Sequence, residues 1–102
     1  MENFDNQEKQ KQIEAEIEKL DLYEYCLLLD MDGQTESAIE LLEIEIEKGS
    51  KSRYYHASLN SYLWDLCNYL KTGYGVHSYD YHIWKECLKR KFNDLLGYER
   101  FK

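Results

Sequence analysis

Proline is absent from this 102-residue chain, and glycine occurs only five times. Because these residues are the main helix breakers and turn formers, their scarcity argues against a loop-rich fold or a β protein with many turns. Long apolar runs are also missing, since the longest covers residues 26–29, far short of the ~20 residues that cross a bilayer. The N-terminus lacks the basic region and apolar run of a signal peptide. We therefore expect a cytoplasmic protein without a membrane segment.

Cysteine and histidine are too few and too scattered to suggest a disulfide framework or a metal site. An odd number of cysteines without an export signal is typical of reduced intracellular thiols, which we expect to be small buried apolar groups. His77, His82 and Cys87 follow one another at intervals of five, a spacing that does not place ligands on one helical face. The sequence predicts neither a metal nor a cofactor.

Charge is distributed unevenly along the chain. Residues 1–50 carry 15 acidic residues against 4 lysines, a net charge of −11, whereas residues 51–102 carry 9 basic against 5 acidic residues, a net charge of +4. The total of −7 argues against direct binding to nucleic acid or to an anionic membrane. It favours a basic protein as the partner, because complementary charge steers association.

Aromatic side chains are concentrated where the acidic ones are scarce. The second half of the chain holds 12 of the 15 aromatic residues, and nine tyrosines and tryptophans lie between residues 54 and 84. Tyrosine and tryptophan are enriched at protein interfaces because they bury a large ring while their polar group stays hydrogen-bonded. This composition favours a binding protein over an enzyme.

Apolar residues recur at helical spacing along most of the chain. The pattern predicts an all-α fold, a small antiparallel bundle of four to five helices that forms a single domain over residues 1–102. The first apolar stripe begins near Gln10, so we expect residues 1–10 to be frayed. Residues 98–102 are expected to form a short tail.

Capping and stop signals predict where the helices begin and end. The first apolar stripe extends to Leu29 and fits either one helix that bends near Asp21 or two short helices. Gly33 is expected to end this helical segment. Ser37 and Glu40 fit a capping box at the start of the next helix. Two later helices carry the remaining apolar stripes, with a break at the glycines between them: Leu59, Leu63, Leu66 and Leu70, then Tyr81, Trp84, Leu88, Phe92 and Leu95.

Residues 27–35, Leu-Leu-Leu-Asp-Met-Asp-Gly-Gln-Thr, resemble the first motif of the haloacid dehalogenase-like phosphatases, an apolar strand that ends in D-x-D-G. The resemblance implies that Asp30 is a phosphoryl nucleophile and Asp32 a general acid/base beside Mg²⁺. The family's later motifs and its series of parallel strands are missing from this sequence. A helix that ends at Asp30, followed by an Asp-Gly turn, accounts for the same residues. A metal-dependent phosphatase is therefore only an alternative hypothesis.

Two groups of residues are candidates for a partner-binding surface. The first is an acidic edge whose members recur at spacings of 4, 3 and 4 and so share one helical face: Glu36, Glu40, Glu43 and Glu47. The second contains Trp64, which points roughly 140° away from the stripe residue Leu59. Tyrosines seven apart at the shoulder of that stripe complete the set: Tyr55, Tyr62 and Tyr69. A solvated helix face and tyrosines at the edge of the core would account for the same residues without any binding function.

The sequence thus predicts a small acidic protein that binds and inhibits a basic protein, in the manner of an immunity protein that neutralises a nuclease toxin. Acidic side chains would steer the encounter, and desolvated aromatic rings would slow dissociation. An adaptor or a nucleic-acid-mimicking anti-defence protein is the alternative binding role, and a subunit that forms homo-oligomers through its tyrosine-rich face is a further one.

Overall fold

The computed structural model describes the backbone of residues 2–52 and 60–101 and the side chains of residues 8–49, 51–52 and 63–101. Throughout those ranges the regular structure is helical and contains no strand, which confirms the predicted all-α bundle. In these described ranges five α-helices follow one another, with a 3₁₀ turn at Gly49–Lys51 after the third: α1 (Glu2–Glu18), α2 (Leu22–Met31), α3 (Thr35–Lys48), α4 (Asn60–Thr72) and α5 (Ser78–Leu96). None of these helices has the length and apolar character needed to cross a membrane.

The first apolar stripe forms two helices rather than one bent helix. Asp21 lies between α1 and α2 and caps the second, because its carboxylate accepts a hydrogen bond from the Glu24 amide at 2.8 Å while the Glu24 side chain accepts one from the Asp21 amide at 3.4 Å. Helix α1 begins at Glu2, about two turns before the predicted start near Gln10. The polar residues from Gln7 to Lys11 are good helix formers, which an apolar pattern does not detect. Fraying of residues 1–10 stays a prediction.

The capping box predicted for the third helix was wrong. Helix α3 begins at Thr35, so Ser37 lies inside the first turn and cannot cap it, and Gln34 at the N-cap makes no side-chain capping bond. The reciprocal capping pair is instead Asp21 and Glu24 at the start of α2. Ser37 and Glu40 have the residue types and the spacing of a capping box, but Asp21 and Glu24 have the same spacing, and the box forms there.

Helices α2 and α3 are joined by the three residues 32–34, so they run antiparallel. Gly33 makes this reversal at φ +81°, in the left-handed region that disfavours side chains. Helices α4 and α5 are joined by the five residues 73–77 at the predicted break. At Gly75 a Cβ atom would lie 3.1 Å from a carboxylate oxygen of Asp65, so this loop closes tightly onto α4.

The buried side chains of α2 to α5 form one core. Among the described side chains, leucines, one alanine, two cysteines and two aromatic rings fill it: Cys26, Leu27, Leu28, Ala38, Leu42, Leu63, Leu66, Cys67, Tyr81, Leu88 and Phe92. Helix α1 adds the half-buried Ile13 and Ile17 and packs along α5. The predicted stripe residue Leu59 lies outside the described residues.

Within the short tail predicted at residues 98–102, Arg100 and Phe101 contact the bundle. Phe101 is only 7% exposed. Asn93 holds its backbone on both sides, since the amide side chain donates to the Phe101 carbonyl at 2.9 Å and accepts from the Phe101 amide at 3.0 Å. Arg100 forms an ion pair with Asp32 at 2.6 Å. The prediction of a short tail missed this contact because a single phenylalanine gives no periodic signal.

Candidate functional site

The acidic edge lies on the outer face of α3. Its four members are exposed: Glu36, Glu40, Glu43 and Glu47. Ala38 and Leu42 on the same helix are fully buried, which turns the glutamate face toward solvent. Within the described residues, Lys71 is the basic side chain that pairs with this edge, at 3.8 Å from Glu43.

Helix α4 places Trp64 on the surface. Its neighbours Leu63 and Leu66 are buried in the core, whereas the Trp64 side chain is 60% exposed. The structure therefore agrees with the helical phase that placed this tryptophan off the leucine stripe. Asn68 and Lys71 follow at positions i+4 and i+7 and share its face of the helix.

A groove runs between α3 and α4 where these two faces meet. Its volume is about 320 Å³, and it is lined by residues of both helices: Glu43, Ile46, Glu47, Trp64, Cys67, Asn68 and Lys71. We call this feature the α3–α4 groove. Ile46 and Cys67 supply apolar surface, and Glu43 and Glu47 supply two carboxylates one helical turn apart. The groove therefore brings together the acidic edge and the exposed tryptophan, which are separate features in the sequence.

Some of the predicted surface residues lie elsewhere. Glu36 and Glu40 continue the acidic edge but do not line the groove. Tyr69 is half-buried on another face of α4 and packs against Tyr81 with ring centroids 5.1 Å apart. This agrees with the alternative of a tyrosine at the edge of the core, and a binding role for Tyr69 stays a prediction. Five residues turn a helix by roughly 140°, which separates Tyr69 from Trp64.

The two remaining predicted tyrosines have no described side chain. Tyr55 lies outside the described residues, and for Tyr62 the structure describes only a helical backbone position in α4. Both remain predicted members of the surface.

Tyr69 belongs to a second cluster, in which a carboxylate, a lysine and an aromatic side chain are already bonded to one another. Lys85 lies 2.6 Å from Asp30, donates to the Tyr69 hydroxyl at 3.2 Å and lies 4.9 Å from the centre of the Tyr69 ring. Thr35 donates to the other carboxylate oxygen of Asp30 at 2.6 Å. Burial acts to lower the pKa of Lys85, but the hydrogen bonds to Asp30 and Tyr69 raise it above its usual value. We call these residues the Asp30–Lys85 cluster.

The phosphatase-like motif lies in this cluster and at the following turn. The residues expected to form its strand are helical in α2, and Asp30 and Asp32 stand at the C-terminal end of that helix. Lys85 and Arg100 pair with the two carboxylates. Among the described side chains, no three histidines, cysteines or carboxylates converge as metal ligands.

The histidines and cysteines form no common site in the described part of the chain. His77 lies 3.9 Å from Asp80, His82 is exposed, and His56 lies outside the described residues. Burial raises the pKa of Cys26 to about 12 and also raises that of Cys67, so both thiols stay protonated. Cys87 is exposed, which corrects the expectation that all three cysteines are buried.

An exposed aromatic and aliphatic patch beside the α4–α5 loop was missed in the sequence. Its members are between 41% and 89% exposed: Tyr74, Val76, Tyr79 and Ile83. Helical phase identifies two of them, because Tyr79 and Ile83 lie two residues on either side of the buried Tyr81 and so point roughly 160° away from it. The loop positions Tyr74 and Val76 carry no such periodic signal.

Asp65 holds this loop in place. Its carboxylate accepts hydrogen bonds from the amides of Val76 and His77, at 2.6 and 2.9 Å, and from the Tyr81 hydroxyl at 2.8 Å. Burial acts to raise the pKa of Asp65, but these hydrogen bonds lower it below its usual value. Asn68, which lines the α3–α4 groove, also donates to the Tyr74 carbonyl at 2.9 Å. The groove and the loop are thus fixed to each other through α4.

Comparisons with known proteins found no family model, no curated protein and no solved structure that matches this chain.

Proposed function

We propose that this chain is an acidic binding protein that holds a basic protein through the α3–α4 groove. In its most specific form, the proposal is that the chain inhibits a nuclease-like toxin, as an immunity protein does. The observation that carries it is the exposed Trp64 in a groove with Glu43 and Glu47. A large ring left 60% exposed beside two carboxylates has the chemistry of an interface residue for a cationic partner.

The acidic edge supports this proposal beyond the groove itself. Glu36 and Glu40 extend the negative surface along α3, where they can attract a basic protein before contact is made. Exposed charges of this kind act mainly on the association rate and on its salt dependence. Trp64 would act on the dissociation rate, because removing a desolvated ring from an interface costs on the order of 2 kcal/mol or more.

The chemistry of the groove favours binding over catalysis. Beside the Trp64 indole, the polar side chains described in its lining are two carboxylates, a lysine and an amide, which suit recognition of charge. Among those described residues Cys67 is the one thiol, and burial raises the pKa of that thiol and keeps it protonated. A protonated, 4% exposed thiol is a poor nucleophile. Inhibition by covering a partner's surface requires no reactive group.

The test is photo-crosslinking followed by inhibition with purified components. A photoreactive phenylalanine at position 64 is compared with one at position 98, because Trp64 and Tyr98 are equally exposed at 60% and 59%. We expect position 64, and not position 98, to crosslink a basic protein in the cells that produce this chain. That protein is then purified, and its nuclease activity is measured with and without this chain.

Charge reversal tests whether the groove carries the inhibition. The Glu43→Lys/Glu47→Lys variant should lose inhibition, whereas Glu14→Lys/Glu18→Lys, an identical change of charge at the same spacing on exposed positions of α1, should retain it. Equal inhibition by both variants, or a crosslinked partner that is acidic, would contradict the proposal. A basic partner without nuclease activity would support the binding role but contradict the more specific proposal that this chain inhibits a nuclease.

A further inference from the structure

The α3–α4 groove has the size and the polarity of a pocket for one long cationic side chain. Its volume of about 320 Å³ is at the small end of the ~300–1,000 Å³ typical of ligand sites. The apolar atoms of Ile46 and Cys67 can cover a methylene stem, as the stems of long charged side chains pack on apolar surface. Glu43 and Glu47 can then receive the charged end, beside the ring of Trp64.

We propose that this groove is a subsite for one arginine side chain of the basic partner, an inference that rests on the proposed function and specifies its central contact. Arginine fits better than lysine for two reasons. Its planar guanidinium has five donors and can bond both Glu43 and Glu47, and it can stack on the indole of Trp64. An ammonium is more strongly hydrated and offers no plane for stacking.

Lys71 partly neutralises the negative charge of the α3–α4 groove. Its ammonium lies 3.8 Å from Glu43, and the two side chains are 49% and 56% exposed. A pair so open contributes at most about 1 kcal/mol, and often much less. The Asp30–Lys85 pair, at 2.6 Å and about one-fifth exposed, is far more closed. Lys71 is therefore a displaceable internal cation that competes with an arginine for Glu43.

The probe is a short peptide of glycines around one arginine, with matched peptides that carry lysine or citrulline, the uncharged counterpart of arginine. Binding is followed through the indole N–H signals of the two tryptophans, and the Trp64 signal is the one that disappears in Trp64→Phe. We expect the arginine peptide to shift the Trp64 signal saturably and to bind about fivefold more tightly than the lysine peptide. The citrulline peptide should cause no saturable shift.

Trp84 provides an internal comparison in the same spectrum. It lies beside Asp21 and Glu24, whose carboxylates already accept hydrogen bonds in the capping pair. We expect its signal to shift less than that of Trp64. Glu43→Gln and Glu47→Gln should each weaken arginine binding by roughly three- to tenfold, because each removes one charge-assisted hydrogen bond.

Lys71→Gln is the most discriminating variant, because it removes the competing cation and should therefore strengthen arginine binding about threefold. The matched control is Lys19→Gln, which makes the same change in net charge at a 69% exposed lysine just after α1 that pairs with Glu16. It should leave the affinity unchanged.

Three results would overturn the arginine subsite: equal shifts with arginine, lysine and citrulline, equal gains from Lys71→Gln and Lys19→Gln, or no saturable shift of Trp64. These failures are distinguishable from failure of the proposed function. A basic partner that binds the wild type and not Glu43→Lys/Glu47→Lys would preserve the binding face without the arginine pocket. Loss of both the peptide and the protein interaction would remove both proposals.

Discussion

In two regions beside α4, a lysine meets a carboxylate next to an aromatic ring. In the Asp30–Lys85 cluster, the charged atoms are 2.6 Å apart, the side chains are about one-fifth exposed, and Tyr69 and Thr35 complete the hydrogen bonds. In the α3–α4 groove, Lys71 and Glu43 are 3.8 Å apart and about half exposed, and Trp64 is largely open to solvent. The same residue types therefore hold the helices together in one region and stay accessible in the other.

The difference shows which charges are available to a partner. A carboxylate with several fixed donors would lose them on binding another molecule, and this opposes its use at an interface. A carboxylate in an open, half-exposed pair loses little when a better donor arrives. Whether a charged side chain is available to a partner depends on the contacts that it already makes within the fold. Composition alone therefore does not locate a binding site.

The largest predicted effect is a loss of stability, and it should distinguish a substitution on the core face of α4 from one on its groove face. Leu66→Ala should lower the free energy of unfolding by about 2–5 kcal/mol, because it opens a cavity at a fully buried position. Trp64→Ala on the neighbouring face should change it by less than about 1 kcal/mol. Urea unfolding of both variants measures the difference. A loss from Trp64→Ala as large as that from Leu66→Ala would make Trp64 a core residue and end its role in binding.

The second prediction compares the two lysines directly. Lys85→Met should destabilise the fold by about 1–3 kcal/mol, because it leaves the half-buried Asp30 carboxylate without its cation. Lys71→Met should change stability by no more than about 0.5 kcal/mol. The same urea measurement at neutral pH tests both, and equal losses would show that the groove pair is as structural as the cluster.

The third prediction concerns the carboxylate that fixes the α4–α5 loop. The folded state lowers the pKa of Asp65 below the ordinary value of 3.8 through hydrogen bonds from His77, Tyr81 and Val76. Its contribution to stability is therefore present above that value and is lost as the pH falls through the lower, folded-state pKa. Asp65→Asn should lower stability by about 1 kcal/mol at pH 7, and this gap should close progressively below about pH 4.

Stability measured against pH for both proteins tests the prediction. A gap that stays constant at acid pH would show that the Asp65 charge contributes nothing. Loss of the loop's hydrogen bonds in the variant should also appear as faster hydrogen exchange at the Val76 and His77 amides, since these amides bond directly to the carboxylate.

Much of this architecture was predictable from the sequence, because helical period and glycine positions are local properties. The stripe of Leu63 and Leu66, the exposure of Trp64 and the stop at Gly33 all follow from phase and turn chemistry. The acidic edge was also predictable, since four glutamates at helical spacing share a face wherever the helix lies.

The features that sequence reasoning missed depend on which helices meet. Nothing local indicates that Tyr69 packs on Tyr81 or that Asp30 pairs with Lys85. The groove is likewise a tertiary feature, because it combines Glu47 of α3 with Trp64 of α4. Docking of Phe101 depends on a contact with Asn93 that only the folded chain brings about.

The smallest effect should distinguish, by its sign, a carboxylate of the acidic edge from an exposed carboxylate on α5. Glu36 and Glu40 lie one turn apart on α3, with Glu43 close by, so like charges repel there by a few tenths of a kcal/mol per pair. Glu40→Gln should therefore stabilise the fold by roughly 0.2–0.5 kcal/mol at low salt. This gain should shrink as salt screens the repulsion.

Glu86→Gln on α5 makes the same substitution at a 50% exposed position in mid-helix, 3.8 Å from Lys89 and four residues before Arg90. Its effect should have the opposite sign, because the opposite charges at this spacing attract. Urea unfolding in low and high salt measures both variants. A destabilising Glu40→Gln would mean that the edge contributes to the fold in the way that Asp30 does. A stabilising one would mean that the edge slightly opposes the folded state, as expected of charges held free for a partner.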